Sequence, residues 1–120
     1  MEKVTGIGGF FFRSSDPAKL AQWYAEHFGI SLTPTDYGQQ PWTQEAGPTV
    51  FQPFPSDTKY FRGSWMLNLR VQNLEALVAQ LRAAGIAVEV DPETYPNGKF
   101  ATVHDPEENP IQLWEPEVIG

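Results

Sequence analysis

The chain has 120 residues, of which 41% are hydrophobic and 19% charged, a balance typical of a folded globular protein and not of a disordered one. Its formal net charge of −7 disfavours binding to nucleic acid and to anionic membranes, and favours a cationic ligand. The absence of cysteine excludes disulfides, thiolate metal sites and thiol nucleophiles. No apolar stretch approaches the ~20 residues of a membrane span, and no signal peptide pattern opens the chain, so we expect a cytoplasmic location.

The first half of the chain predicts a strand, a helix and further strands. Residues 4–13 are rich in β-branched and aromatic side chains, which is typical of a strand. Asp16 and Pro17 then form a helix start, and Gly29 ends the helix. The apolar stripe of this helix consists of Leu20, Trp23, Tyr24 and Phe28. The further extended segments are residues 31–35, 42–45 and 49–54.

The second half repeats this order. A strand at residues 65–71 is followed by Asn73 as the N-cap of a helix, which Gly85 closes. The apolar stripe of this helix consists of Leu74, Leu77, Val78 and Leu81. The remaining extended segments are residues 86–90, 100–104 and 110–115, and they are separated by turn residues such as Asn97-Gly98 and Asp105-Pro106.

The repeat predicts one domain, 1–120, built from two tandem βαβββ modules. The pair Arg13 and Arg70 has the same spacing as the pair Leu20 and Leu77, which aligns the two modules. Module one covers about residues 1–56 and module two about residues 64–120, and a short polar connector, residues 53–63, joins them. We therefore expect an α+β fold in which a curved mixed sheet surrounds a cavity and the helices lie outside.

Several motifs then carry a resemblance to a known family. They are Gly8-Gly9-Phe10-Phe11-Phe12-Arg13, the helix end Trp23-Tyr24-Ala25-Glu26-His27-Phe28-Gly29, and above all Asp105-Pro106-Glu107-Glu108-Asn109-Pro110-Ile111-Gln112-Leu113-Trp114-Glu115-Pro116. The last run resembles the ending of the glyoxalase/bleomycin-resistance/extradiol-dioxygenase (vicinal oxygen chelate) superfamily, and the resemblance covers essentially the whole chain. Glu108 stands where the family's motif has a turn glycine, which predicts a slightly different turn.

In the metal-dependent members of that superfamily, each module supplies two ligands, usually His, Gln or Glu. The resemblance places Gly9, Gln52, Met66 and Gln112 at these positions. Glycine has no donor, a thioether suits copper(I), and two neutral amides are weak ligands, so we expect no metal and no cofactor. The chain has only two histidines, and neither falls on a ligand position of the family.

Strand alternation predicts which side chains share a face with these positions. Aromatic and amide groups lie on that face together with an arginine pair, which is typical of a small-molecule pocket. The candidate ligand-binding residues are Phe11, Arg13, Gln52, Met66, Asn68, Arg70, Gln112 and Trp114. The opposite faces suit the helix-packed core and carry Phe10, Phe12, Leu67, Leu69, Val71, Ile111 and Leu113. The sequence singles out no catalytic residue and shows no positioned base; the acid–base candidates near the rim of the cavity are Glu45, Glu89, Asp91 and His104.

Three functions stay open at this point. The leading one is a metal-independent protein of the bleomycin-resistance type that binds a small molecule in its cavity and forms a homodimer. Trp42, Trp65 and the connector are the candidate dimer contacts. The second is a glyoxalase-like lyase or isomerase, or an enzyme related to the dioxygenases, which would use a displaced metal or metal-free acid–base chemistry. The third is a regulatory domain that binds a partner protein through an exposed apolar patch.

Overall fold

The computed structural model describes residues 1–117 and has two helices and one four-stranded sheet. The helices are α1, Pro17–Phe28, and α2, Leu74–Ala83. The strands are β1, Leu67–Arg70; β2, Glu89–Val90; β3, Gly98–His104; and β4, Pro110–Pro116. The strand order is β1-β4-β3-β2, in which β1 and β4 are parallel and the other neighbours antiparallel. The predicted α+β class with a curved open sheet is confirmed.

Both helices begin at the predicted residues because a short polar side chain accepts a backbone N–H of the first turn. The Asp16 carboxylate accepts from the N–H of Lys19 at 3.2 Å, and the Asn73 amide oxygen accepts from that of Ala76 at 3.0 Å. Gly29 ends α1 in the left-handed conformation, with φ of 71°. These caps are local signals, and for that reason the sequence alone predicts them.

The core lies between the helices and one face of the sheet. The predicted apolar stripes of α1 and α2 pack on inward-facing residues of β3 and β4, and Ile111 and Leu113 are fully buried. Leu67, Leu69, Val71 and Phe12 pack around this cluster, as predicted, whereas Phe10 is 47% exposed and contacts Trp65. The buried cluster consists of Leu20, Tyr24, Leu74, Val78, Leu81, Ala101, Val103, Ile111 and Leu113.

The strand predictions for the first half are wrong for the described chain. Residues 4–13, 31–35, 42–45 and 49–54 form no strand, and the sheet of residues 1–117 comes from the second half alone. β-branched and aromatic side chains show that a segment suits a pleated surface, but a strand also needs a neighbouring backbone to pair with. The segments of the first half find no such neighbour among the described residues.

The turn between β3 and β4 joins the two halves of the chain. The buried carboxylate of Asp105 accepts the hydroxyl of Tyr24 at 2.6 Å. The next acidic residue, Glu107, accepts the hydroxyl of Ser14 at 2.6 Å and the N–H of Ser15 at 2.9 Å. The turn therefore holds both the middle of α1 and the segment before it.

Neither helix of residues 1–117 is long and apolar enough to cross a membrane.

Candidate ligand-binding site

The face of the sheet opposite the helices carries the candidate site, and we call it the cup face. Strand register brings its side chains together, because Gln112 of β4 lies between Asn68 of β1 and Thr102 of β3. One step along the strands, Trp114 lies beside Phe100. The alternation along β1 and β4 that the sequence predicts therefore places Asn68, Gln112 and Trp114 on one surface.

A cavity of about 470 Å³ lies on the cup face. This volume is within the range of small-molecule sites, which are mostly apolar with a few orienting polar groups. The wall combines aromatic rings, two amides, hydroxyls and a single carboxylate, and it includes Tyr60, Asp91, Tyr95, Asn97, Phe100, Thr102 and Gln112.

Two amides and a phenol form a hydrogen-bonded chain along the cup face, and it ends at the cavity. The amide nitrogen of Asn68 donates to the side-chain oxygen of Gln112 at 2.8 Å. The amide nitrogen of Gln112 in turn donates to the hydroxyl of Tyr60 at 2.7 Å. Tyr60 belongs to the connector, so the segment that joins the two predicted modules supplies part of the wall. Both ends of the Gln112 amide are thereby engaged within the chain.

The aromatic part of the wall is held by its own contacts. Trp114 is 8% exposed, and its indole N–H donates to the carbonyl of Asn97 at 2.8 Å. Its ring is nearly parallel to that of Phe100, with centroids 6.4 Å apart, and Tyr95 meets Phe100 edge-on at 5.9 Å. Trp114 therefore supports Phe100, and the aromatic surface of the wall is that of Phe100 and Tyr95.

Asp91 is the carboxylate of the cavity wall, and its oxygens are engaged. It accepts the hydroxyl of Tyr95 at 2.9 Å and the N–H of Glu93 at 3.0 Å. The hydrogen bond to Asp91 raises the pKa of Tyr95 above its ordinary value of 10.0. Tyr95 is therefore a neutral donor at physiological pH, and its proton is directed at the carboxylate.

Other predicted site residues lie away from this cavity or have other partners. The guanidinium of Arg70 donates to the backbone carbonyls of Glu45 and Pro48, so it anchors a segment of the first half. Phe11 is 94% exposed, and Arg13 and Gln52 are exposed as well, whereas Met66 is half-buried. The structure thus brings together three of the eight candidates, Asn68, Gln112 and Trp114.

The positions that the resemblance implies for a metal do not fit one. Gly9 offers no side-chain donor, Gln52 is exposed, and the amide of Gln112 is committed to Asn68 and Tyr60. His27 packs against the ring of Trp23 on α1, away from the cup face. Within residues 1–117, no three His, Asp or Glu side chains lie close enough to form a metal site.

The site residues predicted from the sequence include Gln112 but omit the other seven residues of the cavity wall, which are Tyr60, Asp91, Tyr95, Asn97, Phe100, Ala101 and Thr102. The alternation that predicts Gln112 on β4 also predicts Phe100 and Thr102 when it is applied to β3. Asp91 and Tyr95 follow β2; the sequence offers Asp91 only as an acid–base candidate near the rim, and no pattern marks Tyr95 as a wall residue. Tyr60 reaches the cup face only because the connector folds back over it.

Comparison with known proteins gives a family and two structural relatives. A family model described as a glyoxalase-like domain matches residues 9–114. The crystal structure of TnmS3, an antibiotic binding protein from Streptomyces sp. CB03234, is similar with a TM-score of 0.66 and 26% identity, over 98% of this chain and 100% of that chain. A glyoxalase/bleomycin resistance protein from the same organism has a TM-score of 0.54 and 28% identity, over 84% of this chain and 92% of that chain. No curated protein sequence matches significantly.

Proposed function

The chain belongs to the glyoxalase-like domain family, and we propose that it binds a small molecule with an apolar, aromatic body on its cup face without using a metal. The observation that carries the proposal is the cavity of about 470 Å³, in which a flat aromatic wall faces a few fixed polar groups. Such a wall gives affinity through buried apolar area and orientation through hydrogen bonds. Its polar groups form hydrogen bonds with one another and leave no cluster of strong metal donors.

The structural relatives support a binding role. One of them is an antibiotic binding protein and the other a glyoxalase/bleomycin resistance protein, and the first is similar over nearly the whole of this chain. The net charge of −7 favours a ligand that carries positive charge, because the field of the whole protein attracts a cation before contact. We therefore propose sequestration of a cationic, aromatic small molecule in the cytoplasm by a homodimer of this chain.

Isothermal titration calorimetry with basic glycopeptide antibiotics tests the proposal. We expect saturable heat with a one-to-one ratio per chain, and weaker binding in the variant Phe100→Ala, which removes the flat side chain of the wall. Val90→Ala is the matched control, since Val90 is an exposed side chain of β2 that lines a different groove, beside α2. Its affinity should equal that of the wild type.

Two results would contradict the proposal. The first is an absence of heat at high protein concentration with every basic glycopeptide and with smaller aromatic cations. The second is an equal loss of affinity in Phe100→Ala and Val90→Ala, which would place the ligand outside the cup face. Turnover of the titrated compound, followed by mass spectrometry, would replace the binding role by the lyase or isomerase alternative.

A further inference from the structure

The connector has a defined shape that fixes one tyrosine over the cavity. Its turn is closed by the N–H of Thr58, which donates to the carbonyl of Pro55 at 3.0 Å. The ring of Tyr60 stacks on that of Phe54, with centroids 5.6 Å apart and planes 12° apart, and Phe61 packs edge-on against Phe54 at 5.2 Å. These contacts hold the phenol ring, so its hydroxyl has a fixed place above the sheet.

The direction of the amide chain determines what this hydroxyl can do. Asn68 donates to the oxygen of Gln112, so the Gln112 nitrogen points to Tyr60 and donates to its hydroxyl. A phenol has one proton to donate and here acts as an acceptor. No acceptor in the described part of the chain receives the Tyr60 proton, and the side chain is 60% exposed, so the chain of hydrogen bonds ends in an O–H that is open to solvent and available to a ligand at the cavity.

Two other polar groups of the cup face are already paired. Asp91 accepts from Tyr95 and from the N–H of Glu93, and the indole N–H of Trp114 is bound to the carbonyl of Asn97. The Tyr60 donor lies beside a flat apolar wall. A ligand complements both if it has a flat ring that carries a hydrogen-bond acceptor. An unpaired donor that a ligand covers without accepting from it costs affinity.

We propose that Tyr60 determines ligand specificity by donating its hydroxyl proton to a carbonyl or phenolic oxygen carried on a planar aromatic ring that packs on Phe100. This inference rests on the proposed binding function and deepens it, because it names the chemical group that the cup face recognises. The positive charge of the ligand then lies outside the cavity, toward the acidic surface, and the oxygen lies inside it.

Three bicyclic probes of similar size separate the possibilities. Coumarin is flat and carries a carbonyl oxygen, naphthalene is flat without a polar group, and N-methylquinolinium is flat and cationic. We expect ligand-observed NMR titrations to show a higher affinity for coumarin than for naphthalene. Tyr60→Phe keeps the ring and removes the donor, so it should lower the affinity for coumarin by about threefold to tenfold and leave that for naphthalene unchanged.

Tyr37→Phe is the matched control. It also removes one phenolic hydroxyl, but from a fully exposed side chain in a turn that does not line the cavity. The preference for coumarin over naphthalene should therefore survive in Tyr37→Phe and disappear in Tyr60→Phe.

The outcomes distinguish this inference from the proposed function. One result overturns the inference but not small-molecule binding: all three probes bind, N-methylquinolinium binds most tightly, and Tyr60→Phe has no effect. The cup face would then recognise a positive charge and not an oxygen. An equal loss for coumarin and naphthalene in Tyr60→Phe also overturns it, since the hydroxyl then only supports the wall. Failure of the wild-type protein to bind any probe contradicts the proposed function, and the inference falls with it.

Discussion

Glu108 occupies a backbone conformation that glycine adopts at much lower cost. Its φ is 65°, in the left-handed region, and its N–H closes the turn by donating to the carbonyl of Asp105 at 2.9 Å. For a residue with a Cβ this region costs roughly 1–2 kcal/mol. The hydrogen bonds that Asp105 accepts from Glu107 and Asn109 hold the turn closed in spite of that cost.

Replacing this residue by glycine should stabilise the protein. Glu108→Gly relieves the strain of the left-handed conformation, and we expect the free energy of unfolding to rise by about 1 kcal/mol. Urea denaturation followed by circular dichroism measures the change. Glu108→Ala removes the same carboxylate but keeps the Cβ, so it should leave the stability unchanged. A gain in Glu108→Ala as large as that in Glu108→Gly would assign the effect to charge instead.

Gly98 illustrates the opposite case, in which a side chain has no room. Its φ is 131°, and a Cβ would lie 2.9 Å from the indole nitrogen of Trp114 and against the backbone of Glu115. Gly85, with φ of 83°, has open space around it. Gly85→Ala should therefore cost about 1–2 kcal/mol from the backbone alone, and Gly98→Ala a further 1–3 kcal/mol or so from the contact. Thermal unfolding of both variants checks the order, and equal losses would contradict it.

At the scale of the elements, Glu107 connects the turn between β3 and β4 to the start of α1, and its contribution depends on pH. The pKa of Glu107 lies below its ordinary value of 4.5 because two groups donate to the ionised carboxylate. The hydroxyl of Ser14 has the larger effect, and the N–H of Ser15 adds to it. A lowered pKa in the folded state means that the ionised form stabilises the fold above pH 4.5, and that this stabilisation is lost as the pH falls through the lowered pKa.

Glu107→Gln tests this contribution. We expect the variant to be less stable than the wild type at neutral pH and the difference to shrink as the pH falls below 4.5. Urea denaturation midpoints across that range measure it. Glu108→Gln, a neighbouring exposed carboxylate with no bonded partner in residues 1–117, is the control and should follow the wild type at every pH. A difference that stays constant with pH would show that the charge of Glu107 plays no part.

The contact between α1 and the same turn depends on Tyr24. Burial, and then the hydrogen bond to Asp105, raise the pKa of Tyr24 above its ordinary value of 10.0, so the phenol stays protonated and donates at 2.6 Å. Tyr24→Phe leaves a buried carboxylate one donor short, and we expect a loss of about 1–3 kcal/mol in the free energy of unfolding. Tyr37→Phe, at a fully exposed residue, should cost nothing. A loss in Tyr24→Phe no larger than that of the control would mean that water replaces the phenol.

On the scale of the whole molecule, the sequence predicts the elements whose signals are local. Asp16 and Asn73 cap their helices as expected, and the apolar stripes of both helices face the sheet. Alternation along β1 and β4 predicts the buried face and places Asn68, Gln112 and Trp114 on the other. These inferences need only a few neighbouring residues of chain, and they succeed for that reason.

The predictions that fail depend on contacts between distant segments. The four segments predicted as strands in the first half have the right composition but no backbone partner among the described residues. Arg70 has the predicted position, yet its guanidinium binds the carbonyls of Glu45 and Pro48. Tyr60 enters the cavity through the folding of the connector, which no periodicity encodes. The domain limits and the two-module division stay predictions.

Those unpaired segments lead to a prediction about assembly. Val50 is 71% exposed and Phe51 87%, so this chain by itself leaves both side chains uncovered. Phe11, at 94%, belongs to another such segment. Exposed apolar side chains in this number are typical of an interaction surface. A second copy of the chain offers the same segments for pairing about a twofold axis.

We therefore expect light scattering coupled to size-exclusion chromatography to give twice the chain mass of 13.5 kDa. The double variant Phe11→Ser/Phe51→Ser should shift the equilibrium to the monomer upon dilution, because it removes two exposed rings that only a partner can cover. Tyr37→Ser removes an equally exposed ring from a turn and is the control, which should remain dimeric. A wild-type mass of 13.5 kDa at every concentration would reject the homodimer. Binding on the cup face would then have to be achieved by one chain alone, whose second-half sheet and connector already form one wall of the cavity and its polar groups.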